Sequence, residues 1–270
     1  MDMFTRFATA IMRYFSSINS FGSLLSFVTT RQESQSRLNL GQSIGARSLR
    51  LQSTAHETVP QPISERPLFI FILGAPGVGK GTISAFLKEA VPGLTHLSYG
   101  DLTRYHDRIP GSWVSSFPRR EGTNNPLLPA RDAVTLLRGP IETGVRQHGQ
   151  LMWLLDGFPR REQHVTEWLA QLPRADCTLY LFCPPELSVN RVLGRASTSG
   201  RPDDANVERV LERVTRINAE SGAMLDALET AGMRVARVDA SRDLETVKGE
   251  VLGHIQEAMR AWQGQQPESE

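Results

Sequence analysis

Cysteine is nearly missing from this chain: of 270 residues only Cys177 and Cys183 carry a thiol, six positions apart in one apolar run. If that run is a strand, its rise holds them about 20 Å apart, which excludes a disulfide framework. Histidine is also scarce, and none of His56, His96, His106, His148, His164 and His254 stands at metal-ligand spacing from another histidine or a cysteine, so no side-chain metal centre is expected. An excess of basic charge is lacking too. Lys and Arg number 30 against 29 Asp and Glu, which leaves no general surface for holding a nucleic-acid backbone. There is no long apolar run: Tyr14 to Thr30 is uncharged, but eight of its seventeen residues are Ser, Thr or Asn. That is too polar and slightly too short to cross a bilayer, so no stable membrane insertion is expected.

What is present divides in two. Residues 1–56 hold six arginines (Arg6, Arg13, Arg31, Arg37, Arg47, Arg50) against Asp2 and Glu33, with abundant serine. Phe4, Phe7, Ile11, Tyr14, Phe15 and Ile18 recur at helical spacing beside Arg6 and Arg13, an amphipathic start that suits a mitochondrial transit peptide. A disordered extension of a cytoplasmic protein, or a signal or anchor segment, are the alternatives. Val59-Pro60-Gln61-Pro62 reads as a linker, so residues 1–60 are expected to be leader and linker and 66–264 a globular domain.

That domain has 40% hydrophobic composition behind it, enough for a full core. Apolar runs at 68–73, 151–155, 177–182 and 233–238, with a shorter one at 95–98, read as buried strands. Helical periodicity fills 80–91, 130–147, 161–171, 185–195, 206–231 and 243–262. The alternation predicts an α/β fold, a five-stranded parallel sheet with helices on both faces. In the long helix Val207, Val210, Leu211, Val214, Ile217, Met224, Leu225 and Leu228 mark one apolar face, with Arg209, Arg213 and Arg216 largely off it.

The first strand runs straight into Gly74-Ala75-Pro76-Gly77-Val78-Gly79-Lys80-Gly81-Thr82, and a helix follows. This is the setting of a P-loop. Glycines let backbone N–H groups turn inward on phosphate oxygens, the helix N-terminus adds its dipole, and Lys80 reaches the outer phosphates. The general motif has Ser or Thr directly after the lysine. Here Gly81 takes that place and Thr82 follows, the Gly-Lys-Gly-Thr form that resembles adenylate kinases.

Three more motifs extend the resemblance over about residues 66–262. Ser98-Tyr99-Gly100-Asp101-Leu102-Thr103-Arg104 is similar to the Ser-Thr-Gly-Asp-x-x-Arg of nucleoside monophosphate kinases, Asp156-Gly157-Phe158-Pro159-Arg160 to their Asp-Gly-Phe-Pro-Arg, and Arg191 through Asp204 to their short lid. On this basis the chain is identified as a member of that family, with an acceptor-binding insert at about 98–129 and a lid at about 194–206. The resemblance implies an ATP site at Gly77, Val78, Gly79, Lys80, Gly81, Thr82 and Arg191, and an acceptor site at Tyr99, Arg104, Gly157, Arg160, Gln163, Arg201 and Arg213. It implies a catalytic set of Lys80, Arg160, Arg195, Arg201 and Arg213. Mg²⁺ is expected to arrive with ATP, supported through water by Asp156 and weakly by Thr82. Val238-Asp239-Ala240-Ser241 resembles the loop that flanks the ATP base.

The activity implied is an ATP-dependent phosphoryl transfer to a monophosphate, and a monomer is expected. AMP is the first expectation for the acceptor, because Gln163 matches an adenine-contacting Gln of adenylate kinases. A UMP/CMP or broad-specificity kinase and a catalytically weak nucleotide-binding protein remain as alternatives. Three features depart from the family: Tyr99 in place of Thr or a small residue, prolines at 110, 118, 126 and 129 where the family has mostly helix, and Ala205 as an extra residue. So many cations around one cleft would repel one another, which predicts an open lid that closes over ATP.

Overall fold

The computed structural model describes residues 66–119, 126–195 and 206–265. The leader, with the mitochondrial expectation placed on it, lies outside the described residues, as do Arg201, Ala205 and most of the lid. Among the described residues no helix is long and apolar enough to cross a membrane.

β1 (Leu68–Leu73) is buried at all six positions because both of its faces are covered. Leu68, Ile70 and Ile72 point into one core, with Leu154, Leu179 and Val251, while Phe69, Phe71 and Leu73 point into the other, with Leu137, Phe158 and Trp168. A strand covered on both sides gains nothing from polar alternation, so it reads as an unbroken apolar run. After β1 come α1 (Lys80–Ala90), β2 (Leu94–Ser98), α2 (Tyr99–Asp107), a 3₁₀ turn (Trp113–Ser116) and α3 (Ala130–His148). β3 (Met152–Asp156), α4 (Glu162–Gln171), β4 (Cys177–Phe182), α5 (Pro185–Gly194), α6 (Val207–Thr230), β5 (Val235–Asp239) and α7 (Leu244–Gln263) complete the chain.

The sheet order is β2-β3-β1-β4-β5, and every pairing is parallel. The chain winds to one side of β1 for β2 and β3, then crosses to the other for β4 and β5. This reversal opens a crevice at the C-terminal strand ends, where α/β sheets bind ligands. The P-loop and the motifs that begin at Ser98 and Asp156 lie at those ends, while the lid motif starts on α5. Predicted and observed strands and helices agree within two residues, and Cys177 and Cys183 are buried and free.

Two elements differ from expectation. Val207 and Leu211 are 54% and 48% exposed, whereas Val210 and Val214 are fully buried. The first turns of α6 touch the sheet layer along a stripe narrower than the apolar face of the sequence. At about 1.5 Å per residue, this 24-residue helix reaches from the first core, through Val210 and Val214, to the second, through Met224, Leu225 and Leu228. The second difference is α2, a nine-residue helix that the apolar pattern did not announce. Ser98 caps it by accepting from the N–H of Asp101 at 3.2 Å. Beyond α2, Arg119 and Pro126 form an antiparallel bridge and Arg119 holds Asp107, at 2.7 and 2.9 Å; residues 120–125, between the prolines at 118 and 126, lie outside the described residues.

The second core depends on Trp168, fully buried with its ring edge-on to Phe69 and Phe71, each at 5.1 Å, and its indole N–H donated to the Pro173 carbonyl at 2.8 Å. Trp168→Ala leaves a large cavity that this packing cannot close. The variant is expected to be about 3–5 kcal/mol less stable in urea unfolding; a loss under about 1 kcal/mol would mean that the site collapses around the gap.

Candidate active site

The loop after β1 turns tightly because two glycines permit contacts that a side chain forbids. Gly74 has φ +135° and a Cβ there would lie 2.2 Å from the Leu181 carbonyl oxygen; Gly77 has φ +88° and its Cβ would lie 2.1 Å from that of Ser188. The loop is therefore pressed against β4 and the first turns of α5, and it can hold this course only without side chains at both positions. α1 begins at Lys80 with Gly79 as N-cap, no side-chain cap and no acid in its first turn. Among the seven described α-helices the other six all carry an acid there. The exposed N–H groups and the positive end of the α1 dipole are thus left for an anion. The Lys80 ammonium folds back and donates to the carbonyls of Gly74 and Ala75, at 2.7 and 2.9 Å.

Around this loop the charges converge. Loss of solvation lowers Lys80 to about 8; the Asp156 carboxylate opposes the shift, and Arg160, Arg195 and Arg213 add to it. Asp156 closes β3, paired in register with Ile72 of β1 and Ser98 of β2. It is half-buried, and His96 Nε2 lies 3.5 Å from its Oδ2. Past Gly157 and a cis peptide bond between Phe158 and Pro159 comes Arg160. Its Nε donates to the Gly157 carbonyl at 3.0 Å. Loss of solvation lowers its pKa, opposed by Tyr99 and Asp156 and reinforced by Arg104 and Arg213. It is nonetheless open to solvent at the cleft mouth and stays charged at any working pH.

Arg104, on α2, pairs with Asp101 one turn back and faces Arg160 across Gly100. A Cβ on Gly100 would lie 3.2 Å from one guanidinium and 3.4 Å from the other. On the far side Arg191 donates to the Ala240 carbonyl at 3.0 Å, joining α5 to the loop after β5, where Asp239 accepts from the Ser241 N–H at 2.9 Å. Lys80, Arg104, Arg160, Arg195, Arg213 and Asp156 are therefore brought together, with Arg191 at the rim. Thr82 is exposed on the first turn of α1. Asp156 is a hard oxygen donor beside the loop, and among the described residues no group of three or more His, Cys, Asp or Glu could hold a metal.

Two of the expected acceptor residues differ in burial. Tyr99 is 4% exposed; its ring lies beneath Arg160, 4.7 Å from the guanidinium carbon, and edge-on to Phe158 at 5.6 Å. It forms the floor of the site more than its lining. Gln163 is exposed on the first turn of α4, and it is the next residue, His164, that turns inward, 2% exposed. Nothing in composition or motif points to His164. The available signal is positional: it stands four residues after Arg160, at the start of a helix whose buried positions are His164, Val165 and Trp168.

Residues 73–210 match a family model described as an AAA domain. The chain is 34% identical over 191 residues to a UMP-CMP kinase of Gallus gallus, and 32% identical over 191 residues to that of Homo sapiens. Each alignment covers 69% of this chain and 96% of the relative. It is 30% identical over 190 residues to a uridylate kinase of Saccharomyces cerevisiae, across 70% of this chain and 91% of the relative.

The lowered pKa of Lys80 has a direct consequence for ATP binding. The ammonium is charged below about pH 8 and neutral above it, while the polyphosphate favours the charged form. Binding above pH 8 therefore takes up a proton, and affinity falls by up to about tenfold per pH unit. Calorimetry at pH 9 in two buffers of different ionisation enthalpy is expected to show uptake approaching one proton, and none with Lys80→Arg. Buffer-independent heats for the native chain would contradict this.

Proposed function

The chain belongs to the nucleoside monophosphate kinase family, and from that premise we propose that it transfers the terminal phosphoryl group of ATP to a pyrimidine nucleoside monophosphate, UMP or CMP. The observation that carries the reaction class is the convergence of Lys80, Arg104, Arg160, Arg195 and Arg213 on the cleft at the strand ends, around the carboxylate of Asp156. For the acceptor, the UMP-CMP kinases and uridylate kinase among its relatives support a pyrimidine over AMP.

Phosphoryl transfer has little covalent chemistry for a protein to perform; it needs alignment and charge. An oxygen of the acceptor phosphate attacks the γ-phosphorus of ATP, a new P–O bond forms, and the bond from the γ-phosphorus to the bridging oxygen breaks, releasing ADP. The attacking phosphate has its second pKa at about 6 and is largely dianionic at pH 7. No general base is needed. Lys80, held at the loop mouth, meets the outer phosphates of ATP. Arg104 grips the acceptor phosphate, while Arg160, between them, spans donor and acceptor. Arg195 and Arg213 approach from the lid side, and by the family pattern Arg201 joins them. Asp156, through water, and Thr82 are the residues that would hold Mg²⁺, which when bound neutralises charge on the ATP phosphates.

The test follows ADP formation from ATP and Mg²⁺ by the full chain, with UMP, CMP, AMP and GMP supplied separately. UMP or CMP is expected to give a kcat/KM at least about tenfold above AMP, and Lys80→Ala to lower turnover by about 10²–10³. Preference for AMP would return the chain to the adenylate kinase reading. ATP binding with no acceptor-dependent ADP would leave a nucleotide-binding protein.

A further inference from the structure

Arg160 is a long side chain at the cleft mouth, open to solvent, on which, in the kinase reading, the alignment of two phosphates depends. Its backbone and its guanidinium are nonetheless held by two aromatic side chains packed against each other. The Arg160 N–H donates to Nδ1 of His164 at 3.1 Å, and its guanidinium carbon sits 4.7 Å over the Tyr99 ring. The two holders are in contact, with centroids 6.4 Å apart. Phe158 is shared between them, edge-on to Tyr99 at 5.6 Å and stacked on His164 at 5.1 Å with 10° between planes.

We propose that His164 and Tyr99 form one positioning unit that fixes Arg160 for phosphoryl transfer, an inference that rests on the kinase reading above. A backbone N–H can only donate, so Nδ1 of His164 carries no proton and the neutral ring bears its hydrogen on Nε2. The guanidinium of Arg161, also purely a donor, lies 3.3 Å from Nε2; a neutral imidazole has only one accepting nitrogen, so the two donors compete for it, and the shorter approach of the Arg160 N–H assigns acceptance to Nδ1. Arg161 spends a hydrogen bond instead on the Leu128 carbonyl at 3.0 Å, which ties this turn to the start of α3. A proton on Nδ1 would break the bond to Arg160 and set a cation against two guanidinium groups. Burial, then Arg161 and Arg160, accordingly lower His164 to about 3. The ring is thus neutral at working pH. Beneath the guanidinium, the Tyr99 face offers its negative quadrupole at a distance where cations are attracted. Together with the Nε bond to Gly157, these contacts restrict both ends of the Arg160 side chain, and a displacement of about 1 Å at such a group can cost about 10² in rate.

A purely structural role for His164 would make the opposite prediction from a positioning role, which the choice of variants exposes. His164→Phe keeps the ring and its stacking on Phe158 but removes the acceptor. His164→Asn loses the ring but places an amide oxygen where Nδ1 was. We expect His164→Phe in the full chain to lower kcat with UMP or CMP by about 10–100-fold with the KM for ATP unchanged, and His164→Asn to recover kcat to within about threefold despite its poorer packing. Tyr99→Leu is expected to lower kcat similarly. The double variant Tyr99→Leu/His164→Phe should lose less than the product of the single losses, since both act on one group. Native kcat in His164→Phe, or equal losses in Phe and Asn, would overturn the proposal.

A second measurement is independent of turnover. ¹⁵N spectra of the histidine rings are expected to show His164 neutral at pH 6 with Nδ1 bare; the other tautomer or a protonated ring would overturn it. If no acceptor is turned over, the kinase reading fails, and the ring spectrum still decides whether His164 holds Arg160.

Discussion

Mutual repulsion among cations is the constraint around which this molecule is organised. Burial first, and then Arg160, Arg195 and Arg213, depress the affinity of Lys80 for its proton, with Asp156 as the opposing charge, and Arg104 extends the cluster past Gly100. Such an assembly is costly for a folded chain to maintain, and it is tolerated because other contacts hold the charges where they are. Lys80 leans on two loop carbonyls, Arg104 on Asp101, Arg160 on Gly157 and the aromatic floor. A polyanion relieves the repulsion that these contacts restrain.

The sheet provides the rigidity this requires. β1 is pinned between β3 and β4 and buried on both faces, so the loop that follows it starts from a fixed point. β3 delivers Asp156 beside that loop through the same ladder. Two parallel neighbours and two separate cores fix the relative height of the strand ends, and residues distant in the chain meet at hydrogen-bonding range without local strain. α6 is the brace between the layers, since its first half packs in one core and its second in the other. Arg213 projects from the first half, between Val210 and Val214.

On the acceptor side the chain departs from its family in a consistent way. Arg119 and Pro126 are joined by an antiparallel bridge where the sequence carries prolines at 118 and 126, and a tyrosine stands at position 99. The tyrosine does not fill the cleft. It packs inward with Phe158 and His164, so the bulk that looked like an obstruction becomes the surface on which Arg160 rests. A single substitution at position 99, read alone, suggests a changed pocket; read with His164, it is half of a pair.

The sequence by itself determined the P-loop, the strands, most of the helices and the family, because each rests on short-range physics. Glycines at 74 and 77 are demanded by the turn, apolar runs of strand length by burial on two faces, and Asp156 through Arg160 by the end of one such run. Strand order was not legible, since parallel pairing joins segments far apart in the chain. Nor was the direction taken by single side chains. Gln163 faces outward and His164 inward, and Val207 and Leu211 are exposed on an apolar helix face, because a helix's rotation about its axis is set by the surface it packs on. Tyr99 turns under Arg160 for the same reason: tertiary packing decides which neighbours a side chain finds, and no local pattern encodes it.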